Sequence, residues 1–276
     1  MSSTAKTSTQ GRGPLIGLLL LFCLFLVTSV SCADTLFQRS TMQLEEKARR
    51  TQVDDYCFVV MGDSRSNDAI FKLALRTAAG FDPLFILHGG DYSTEGGEEE
   101  TANFLTMVEK NASGIPVFVV PGNHENPKVF DKAIGPPRFA VSVPRLGLKV
   151  VALDNSQGRL ESTDLDYLKR QLPSAPGATF VAMHVPPQTK RWRGHTFTKG
   201  AAELEQMVAA APTVRGLFFA HSHLFDASVF GGVPAFISGG AGAPLVWMSR
   251  YGERVNHILV VRVSKGQVSY QMVQLK

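Results

Sequence analysis

Short apolar runs, separated by amphipathic or irregular stretches, occupy most of the chain after residue 52. Runs rich in Val, Ile and Phe predict strands, and apolar residues at helical spacing predict helices between them. We predict strands over residues 56–61, 84–87, 117–120, 149–153, 179–183, 216–220, 227–230, 233–238, 257–263 and 267–274. We predict helices over residues 68–79, 98–110, 163–172 and 201–210. Alternating strands and helices followed by a β-rich end indicate an α/β domain built around packed sheets.

The N-terminus has the pattern of an export signal. Residues 15–30 are apolar and uncharged, and the only charges before them are Lys6 and Arg12. The apolar run is shorter than the roughly 20 residues that a membrane-spanning helix needs. We therefore expect a cleaved signal, with an uncleaved membrane anchor as the alternative.

Two cleavage sites are open at the end of this segment. Cys32 follows Ser29-Val30-Ser31, which resembles a bacterial lipobox, and cleavage there would leave a lipidated Cys32 at the mature N-terminus. Ordinary cleavage after Ala33 would leave no lipid. We interpret residues 1–33 as a signal peptide or lipoprotein signal, and we expect an exported protein that is periplasmic or membrane-anchored.

Charge and cysteine content narrow the class of protein. The chain has 28 Lys and Arg against 24 Asp and Glu, and loss of residues 1–33 leaves 26 basic residues against the same 24 acidic ones. A nearly neutral mature protein is not expected to bind nucleic acid, which calls for a clustered cationic face. Three cysteines in 276 residues are too few for a disulfide scaffold. Residues 34–52 are polar and charged and predict a linker, with a partly helical segment as a possibility. Residues 53–276 predict one domain.

Polar side chains directly follow five of the predicted strands. They are Asp63, Asp91, Asn123 with His124, His184, and His221 with His223. Because ligands bind outside the carboxyl ends of strands in open α/β sheets, we expect these side chains to form one site. Imidazole, carboxylate and amide oxygen donors suit Zn, Mn or Fe. Six potential ligands among these seven side chains exceed one tetrahedral site, so the pattern favours a pair of ions that share a carboxylate.

The same segments resemble the blocks of the calcineurin-like metallophosphoesterase family. They read GDSR at 62–65, GGDY at 89–92, GNHE at 122–125, VAMH at 181–184 and AHSH at 220–223. The resemblance covers most of residues 56–274. It implies a four-layer α-β-β-α sandwich, in which two packed mixed sheets are flanked by helices, and a two-metal site that hydrolyses phosphate esters.

The resemblance also implies roles for single residues. Asp63 and His223 are expected on the first metal, Asp91 as the bridging carboxylate, and Asn123, His184 and His221 on the second metal. His124 is expected to contact the phosphate and to protonate the leaving oxygen. The expected cofactors are two divalent or trivalent ions, Mn, Zn or Fe, which activate a water for attack on the ester.

Arg65 departs from the family pattern, which places a metal-binding histidine there. A guanidinium has no lone pair to offer a cation. Our first hypothesis is that Arg65 grips the substrate phosphate, with water completing the first metal site. The alternative is a weak or absent first metal, which would make the chain a non-catalytic phosphate- or metal-binding surface protein.

The stretch 188–199 concentrates basic residues just after His184. Arg191, Arg193 and His195 are predicted to bind substrate, with a second phosphate, a nucleobase or a lipid headgroup as ligand; a solvated basic loop is the alternative. We expect an exported metal-dependent phosphohydrolase acting on a small phosphate ester. Membrane association would come through Cys32 lipidation or an uncleaved anchor.

Overall fold

The structure is a computed structural model that describes residues 1–2, 4–5, 34–172, 177–246 and 249–276. Residues 34–276 form one compact unit. The predicted export signal, including Cys32, lies outside the described residues apart from a few positions at its start. Within the described part of the chain, no helix is both long enough and apolar enough to cross a membrane.

Helices and strands alternate through most of the described chain. The helices are α1 (Leu36–Arg50), α2 (Asp68–Ala79), α3 (Glu98–Asn111), α4 (Pro127–Ala133), α5 (Ser162–Gln171) and α6 (Ala201–Ala209). The strands are β1 (Asp55–Met61), β2 (Ile86–His88), β3 (Val117–Val119), β4 (Phe139–Val143), β5 (Leu148–Ala152), β6 (Ala178–Ala182), β7 (Val214–Phe219), β8 (Phe225–Phe230), β9 (Val233–Ser238), β10 (His257–Ser264) and β11 (Gln267–Gln274).

These strands form two mixed sheets. The first has the order β11-β10-β1-β2-β3, in which β1, β2 and β3 are parallel and β10 pairs antiparallel with β1. The second has the order β4-β5-β6-β7-β9-β8, in which β5, β6, β7 and β9 are parallel and β4 and β8 are antiparallel edge strands. Both sheets therefore present the carboxyl ends of several parallel strands.

Three apolar clusters separate four layers. The central cluster lies between the sheets and contains Phe58 from the first sheet against Phe180 and Phe218 from the second. Helices α2 and α3 bury Phe71 and Phe104 on the outer face of the first sheet. Helices α5 and α6 cover the outer face of the second sheet in the third cluster. The predicted α-β-β-α sandwich is confirmed.

The structure corrects the prediction of a linker over residues 34–52. Residues 36–50 form helix α1, which buries Leu36, Ser40, Leu44 and Ala48 at four-residue spacing. The Ser40 hydroxyl donates to the Val117 carbonyl over 2.8 Å and accepts from the Val117 N–H over 2.9 Å, so α1 covers edge strand β3. The buried stripe is narrow and one of its members is a serine, which explains why a polar composition concealed a packed helix.

Two further elements were not predicted from the sequence. Helix α4 begins after Asn126, whose side chain accepts a hydrogen bond from the Lys128 N–H. Strand β4 is an edge strand with alternating burial and pairs antiparallel with β5. Both elements are short, and neither contributes a residue of the predicted site. Gly231 and Gly232, both at positive φ, form the turn that joins β8 to β9.

Candidate metal centre

The polar residues at the strand ends converge on one edge between the two sheets. Asp63, Asp91 and Asn123 follow β1, β2 and β3, and His184 and His221 follow β6 and β7. Two groups of possible ligands result: Asp91 with His184 and His221, and Asp63 with Asp91 and His223. Within each group the ligand atoms lie within 4.8 Å of one another. Asp91 belongs to both groups.

Two histidines are oriented by backbone carbonyls. The Nδ1–H of His184 donates to the Gly89 carbonyl over 2.7 Å, and the Nδ1–H of His223 donates to the Pro244 carbonyl over 2.8 Å. In a neutral imidazole this leaves the lone pair on Nε2, which points into the centre. The backbone thereby sets both rings in the tautomer that a cation needs.

The donors of the second group crowd around His184 Nε2. This atom lies 3.0 Å from Asn123 Oδ1, 3.1 Å from His221 Nδ1 and 3.4 Å from Asp91 Oδ1. Burial, with His184 next to it, lowers the pKa of His221 to about 3, and burial also lowers the pKa of His184. Neutral imidazoles facing a carboxylate and an amide oxygen form a donor set that fits a cation.

The first group is built around a buried carboxylate. Asp63 Oδ2 accepts the His221 N–H over 2.7 Å, and Asp63 Oδ1 lies 3.6 Å from His223 Nε2. Among the described residues Asp63 Oδ1 has no hydrogen-bond partner, although it is buried. Burial and the nearby Asp91 raise the pKa of Asp63 well above its ordinary value. A cation between the two carboxylates would remove this repulsion and would satisfy the orphaned oxygen.

Arg65 lies inside this group without closing a hydrogen bond to it. Its Nε is 3.7 Å from Asp91 Oδ2, and its side chain is only 17% exposed. Within the described residues this buried Nε has no hydrogen-bond partner. The guanidinium is therefore close to the shared carboxylate and has an unused donor.

His124 stands at the rim of the same centre. Its Nδ1–H donates to the Thr94 carbonyl over 2.8 Å, and its backbone N–H donates to Asp91 Oδ1 over 3.2 Å. The Nε2 atom lies 3.9 Å from Asp91 Oδ2, and the side chain is 31% exposed. The ring is therefore partly exposed and lies beside the shared carboxylate.

The family of the chain follows from comparison with known proteins. Residues 57–225, more than half of the chain, match the model of the calcineurin-like phosphoesterases. The chain belongs to this family. The protein is accordingly a metal-dependent phosphoesterase, and the two Asp and His groups are its candidate metal ligands.

Two curated relatives have related names. A probable cyclic nucleotide phosphodiesterase of Fibrobacter succinogenes is 24% identical over 184 residues, which cover 62% of this chain and 68% of the relative. A probable cyclic nucleotide phosphodiesterase of a Synechococcus strain is 28% identical over 116 residues, which cover 38% of this chain and 43% of the relative. The phosphoesterase thus aligns with less than half of the second relative.

Solved structures share the fold of this phosphoesterase. A purple acid phosphatase from yellow lupin superposes with a TM-score of 0.68 at 12% identity, covering 81% of this chain and 53% of the other. GAP50, the anchor in the inner membrane complex of Plasmodium, gives 0.66 at 15% identity, with 80% and 85% coverage. A dimetal phosphatase from Danio rerio gives 0.60 at 11% identity, with 80% and 99% coverage.

The backbone of the phosphoesterase is unusual at the centre. Asp63, Asp91, His221 and His223 have positive φ angles of 55°, 56°, 67° and 43°. This left-handed conformation costs a residue with a side chain on the order of 1 kcal/mol, and such strain clusters at functional sites. Gly122 is needed for a different reason, since a Cβ there would clash with Asp91 Oδ1 and with the Asp91 nitrogen.

Glu125 was quoted within the GNHE block but given no role in the sequence analysis. Its buried carboxylate accepts the N–H groups of Asp91 at 2.9 Å, Tyr92 at 3.0 Å and Gly122 at 2.6 Å. It thereby fixes the loop that carries Asp91. Burial and the Asp91 charge raise its pKa to about 7. Its signal in the sequence was its place in the GNHE block, which did not indicate what the carboxylate does.

Two other polar residues support the loops of the phosphoesterase. His88 accepts the Gly90 N–H at Nδ1 over 3.2 Å, so its Nε2–H donates to Ser64 Oγ over 2.9 Å. Asn155 exchanges two hydrogen bonds with the backbone of Val185. The first contact links the loops after β1 and β2, and the second fixes the loop after His184.

The basic loop 188–199 lies beside the second donor group. Its three residues that were predicted to bind substrate make different contacts from one another. Arg191 forms a bidentate ion pair with buried Asp226 over 2.7 and 2.6 Å. Arg193 Nε donates to the Lys190 carbonyl over 3.0 Å. The His195 ring lies 5.7 Å from the His221 ring, centroid to centroid. Arg191 therefore anchors the loop, and His195 brings it to the metal centre.

Proposed function

We propose that the protein is an exported phosphohydrolase that cleaves a small phosphate ester by attack of water at a dinuclear centre. The observation that carries this proposal is the position of Asp91, whose carboxylate belongs to both donor groups. A carboxylate shared by two groups of ligands is the arrangement that holds two cations close together. Export rests on the N-terminal sequence alone.

The residues divide between two ions. Asp63, His223 and Asp91 would hold the first, and Asn123, His184, His221 and Asp91 would hold the second. The imidazole, carboxylate and amide donors suit Mn, Zn or Fe. When bound, the cations supply Lewis acidity that activates water and offsets the charge of the phosphate.

Arg65 and His124 would act on the substrate itself. The partly exposed guanidinium of Arg65 lies beside the shared carboxylate, and it would bind a non-bridging phosphate oxygen there. The oxygen of water forms the new bond to phosphorus while the bond from phosphorus to the leaving oxygen breaks. His124 would act as the general acid and give a proton from Nε2 to that leaving oxygen.

The substrate class is suggested by the relatives. Both curated relatives carry the name probable cyclic nucleotide phosphodiesterase. We therefore propose that the scissile group is a phosphodiester, with a nucleotide as the first compound to test.

The proposal is tested by metal content and turnover together. Purified protein supplied with Mn²⁺ or Zn²⁺ is analysed for ions per chain and assayed with bis(p-nitrophenyl) phosphate, p-nitrophenyl phosphate and cyclic AMP. We expect two ions and faster cleavage of the diesters than of the monoester. One ion or none, with no turnover, would support the alternative of a phosphate-binding protein with a degenerate first site.

Export has its own test. Mass spectrometry of the mature protein from its native membrane or periplasmic fraction identifies the N-terminal residue. A lipidated Cys32 supports membrane attachment, whereas an unmodified Asp34 supports export without a lipid. An intact Met1 in the cytoplasmic fraction would contradict export.

A further inference from the structure

A pocket with a basic lining, called here the basic pocket, adjoins the metal centre. It has a volume of about 550 Å³ and is lined by Lys190, Arg193, His195, Ser222, Arg250 and Tyr251, among others. Ser222 stands in the chain between the two candidate ligands His221 and His223. The pocket therefore shares a wall with the centre, and its volume is sufficient for part of a small-molecule ligand.

The lining of this basic pocket has one sign of charge. Lys190, Arg191, Arg193 and Arg250 contribute cationic side chains, and among the described lining residues none is acidic. The buried Asp226 offsets Arg191 through the bidentate ion pair. No acidic residue of the described lining faces the other three cations, and a concave surface with cations on its walls concentrates anions.

Both walls of the basic pocket are held in place. On one wall Trp192 is fully buried, donates its Nε1–H to Asp226 over 2.6 Å and packs against Phe219. On the other wall the Ser249 hydroxyl donates to the Tyr251 carbonyl and accepts the Tyr251 N–H. A pocket whose cationic side chains stand on anchored loops loses less entropy when it binds an anion.

We propose that the basic pocket binds a second phosphate of the substrate, one that is not cleaved. The inference rests on the proposed function, because it requires the scissile phosphate to occupy the adjoining metal centre. Guanidinium and ammonium groups are the side chains that recognise phosphate. The enzyme would then prefer phosphodiesters that carry an additional phosphate over those with the scissile phosphate alone.

The test is a binding measurement, which does not depend on turnover. Thymidine 3′,5′-bisphosphate and thymidine 5′-monophosphate differ only in one phosphate, and calorimetry with Mn²⁺-supplied protein gives the ratio of their affinities. We expect the bisphosphate to bind at least about tenfold more tightly, as for one or more charge-assisted hydrogen bonds. Arg193→Ala should reduce this ratio about tenfold, and the exposed Arg49→Ala on α1 should leave it unchanged.

Each outcome separates the pocket from the catalytic proposal. Equal affinities for the two nucleotides would overturn the inference, even with full turnover of bis(p-nitrophenyl) phosphate. Equal affinities together with much weaker binding of phenyl phosphate would show that the pocket binds the nucleoside, and would also overturn it. A preference for the bisphosphate that Arg193→Ala removes would support the inference even if no diester is hydrolysed.

Discussion

The two donor groups differ in how completely the chain supplies their ligands. Around the second position, Asn123, His184 and His221 join Asp91, and three donor atoms lie within 3.4 Å of His184 Nε2. Around the first position only Asp63 and His223 join Asp91, and Arg65 stands nearby. The second position therefore has the fuller set of donors, whereas the first has a guanidinium beside its shared carboxylate, for which we propose phosphate binding.

The two sheets contribute different ligands to the two positions. The second position takes its histidines from the second sheet and its oxygens from the first. The first position depends on a buried aspartate and a histidine with strained backbones. Asp91 couples the two, so perturbing it should affect both, whereas perturbing Arg65 should affect one.

The largest effect is expected from Asp91→Asn. Loss of the shared negative charge weakens both cation positions at once, so we expect both ions to be lost at micromolar metal and hydrolysis to fall about 10³-fold or more. Metal analysis and turnover of bis(p-nitrophenyl) phosphate measure the two effects. Asp82→Asn, on an exposed ion pair with Lys47, is the matched control. If Asp91→Asn kept both ions and full activity, a shared carboxylate could not be the basis of the centre.

The next largest effect is expected from Gly122→Ala, which tests whether the position of the Asp91 carboxylate is as important as its charge. In Gly122→Ala the added Cβ meets Asp91 Oδ1, so the carboxylate must move. A displacement near 1 Å at a reacting centre lowers the rate by roughly 10²-fold. Gly97→Ala is the control, since its Cβ would approach only Glu100 Oε2 at 3.9 Å. Equal activity of the two alanine variants would show that the loop tolerates the shift.

The strands and most of the site residues could be predicted from the sequence, whereas the residues that hold the loops in place could not. The apolar runs predicted most strands, because central strands such as β1, β2, β5 and β6 are buried on both faces between layers and are therefore continuously hydrophobic. The end of each strand located Asp63, Asp91, His184 and His221. Glu125 acts through three backbone N–H groups that only the folded loop brings together. Asp226, likewise, meets Arg191 across 35 residues.

A smaller effect distinguishes the two positions directly. Arg65→His supplies the imidazole that a metal ligand requires and removes the guanidinium. We expect the affinity for one of the two ions to rise about tenfold and the KM for phosphodiester to rise by a similar factor, because phosphate loses a charge-assisted partner. Metal titration by calorimetry and steady-state kinetics measure these changes. An unchanged KM would refute the phosphate-binding role, and Arg65→Lys tests whether a positive charge alone restores it.

The smallest effect concerns stability and uses a buried histidine outside the donor groups. His257 donates from Nδ1 to the Val255 carbonyl, contacts Ser238 Oγ at 3.2 Å, and packs against Gly240. Burial lowers its pKa to about 4, below the ordinary value of 6.5. Between these values the unfolded chain binds a proton that the folded chain does not, so the free energy of unfolding falls as the pH falls.

From pH 7.5 to pH 5 this histidine alone should lower the free energy of unfolding by roughly 2 kcal/mol. Urea unfolding of wild type and His257→Asn at both pH values, each without metal, isolates the contribution because the variant lacks the titrating group. The variant should start less stable and lose less on acidification. An identical loss in both proteins would show that His257 does not cause the acid sensitivity and would leave it to other buried histidines, such as His88 and those of the centre. The increase in the free energy of unfolding on adding Mn²⁺ at pH 7.5 would then measure how far the two cation positions stabilise the fold.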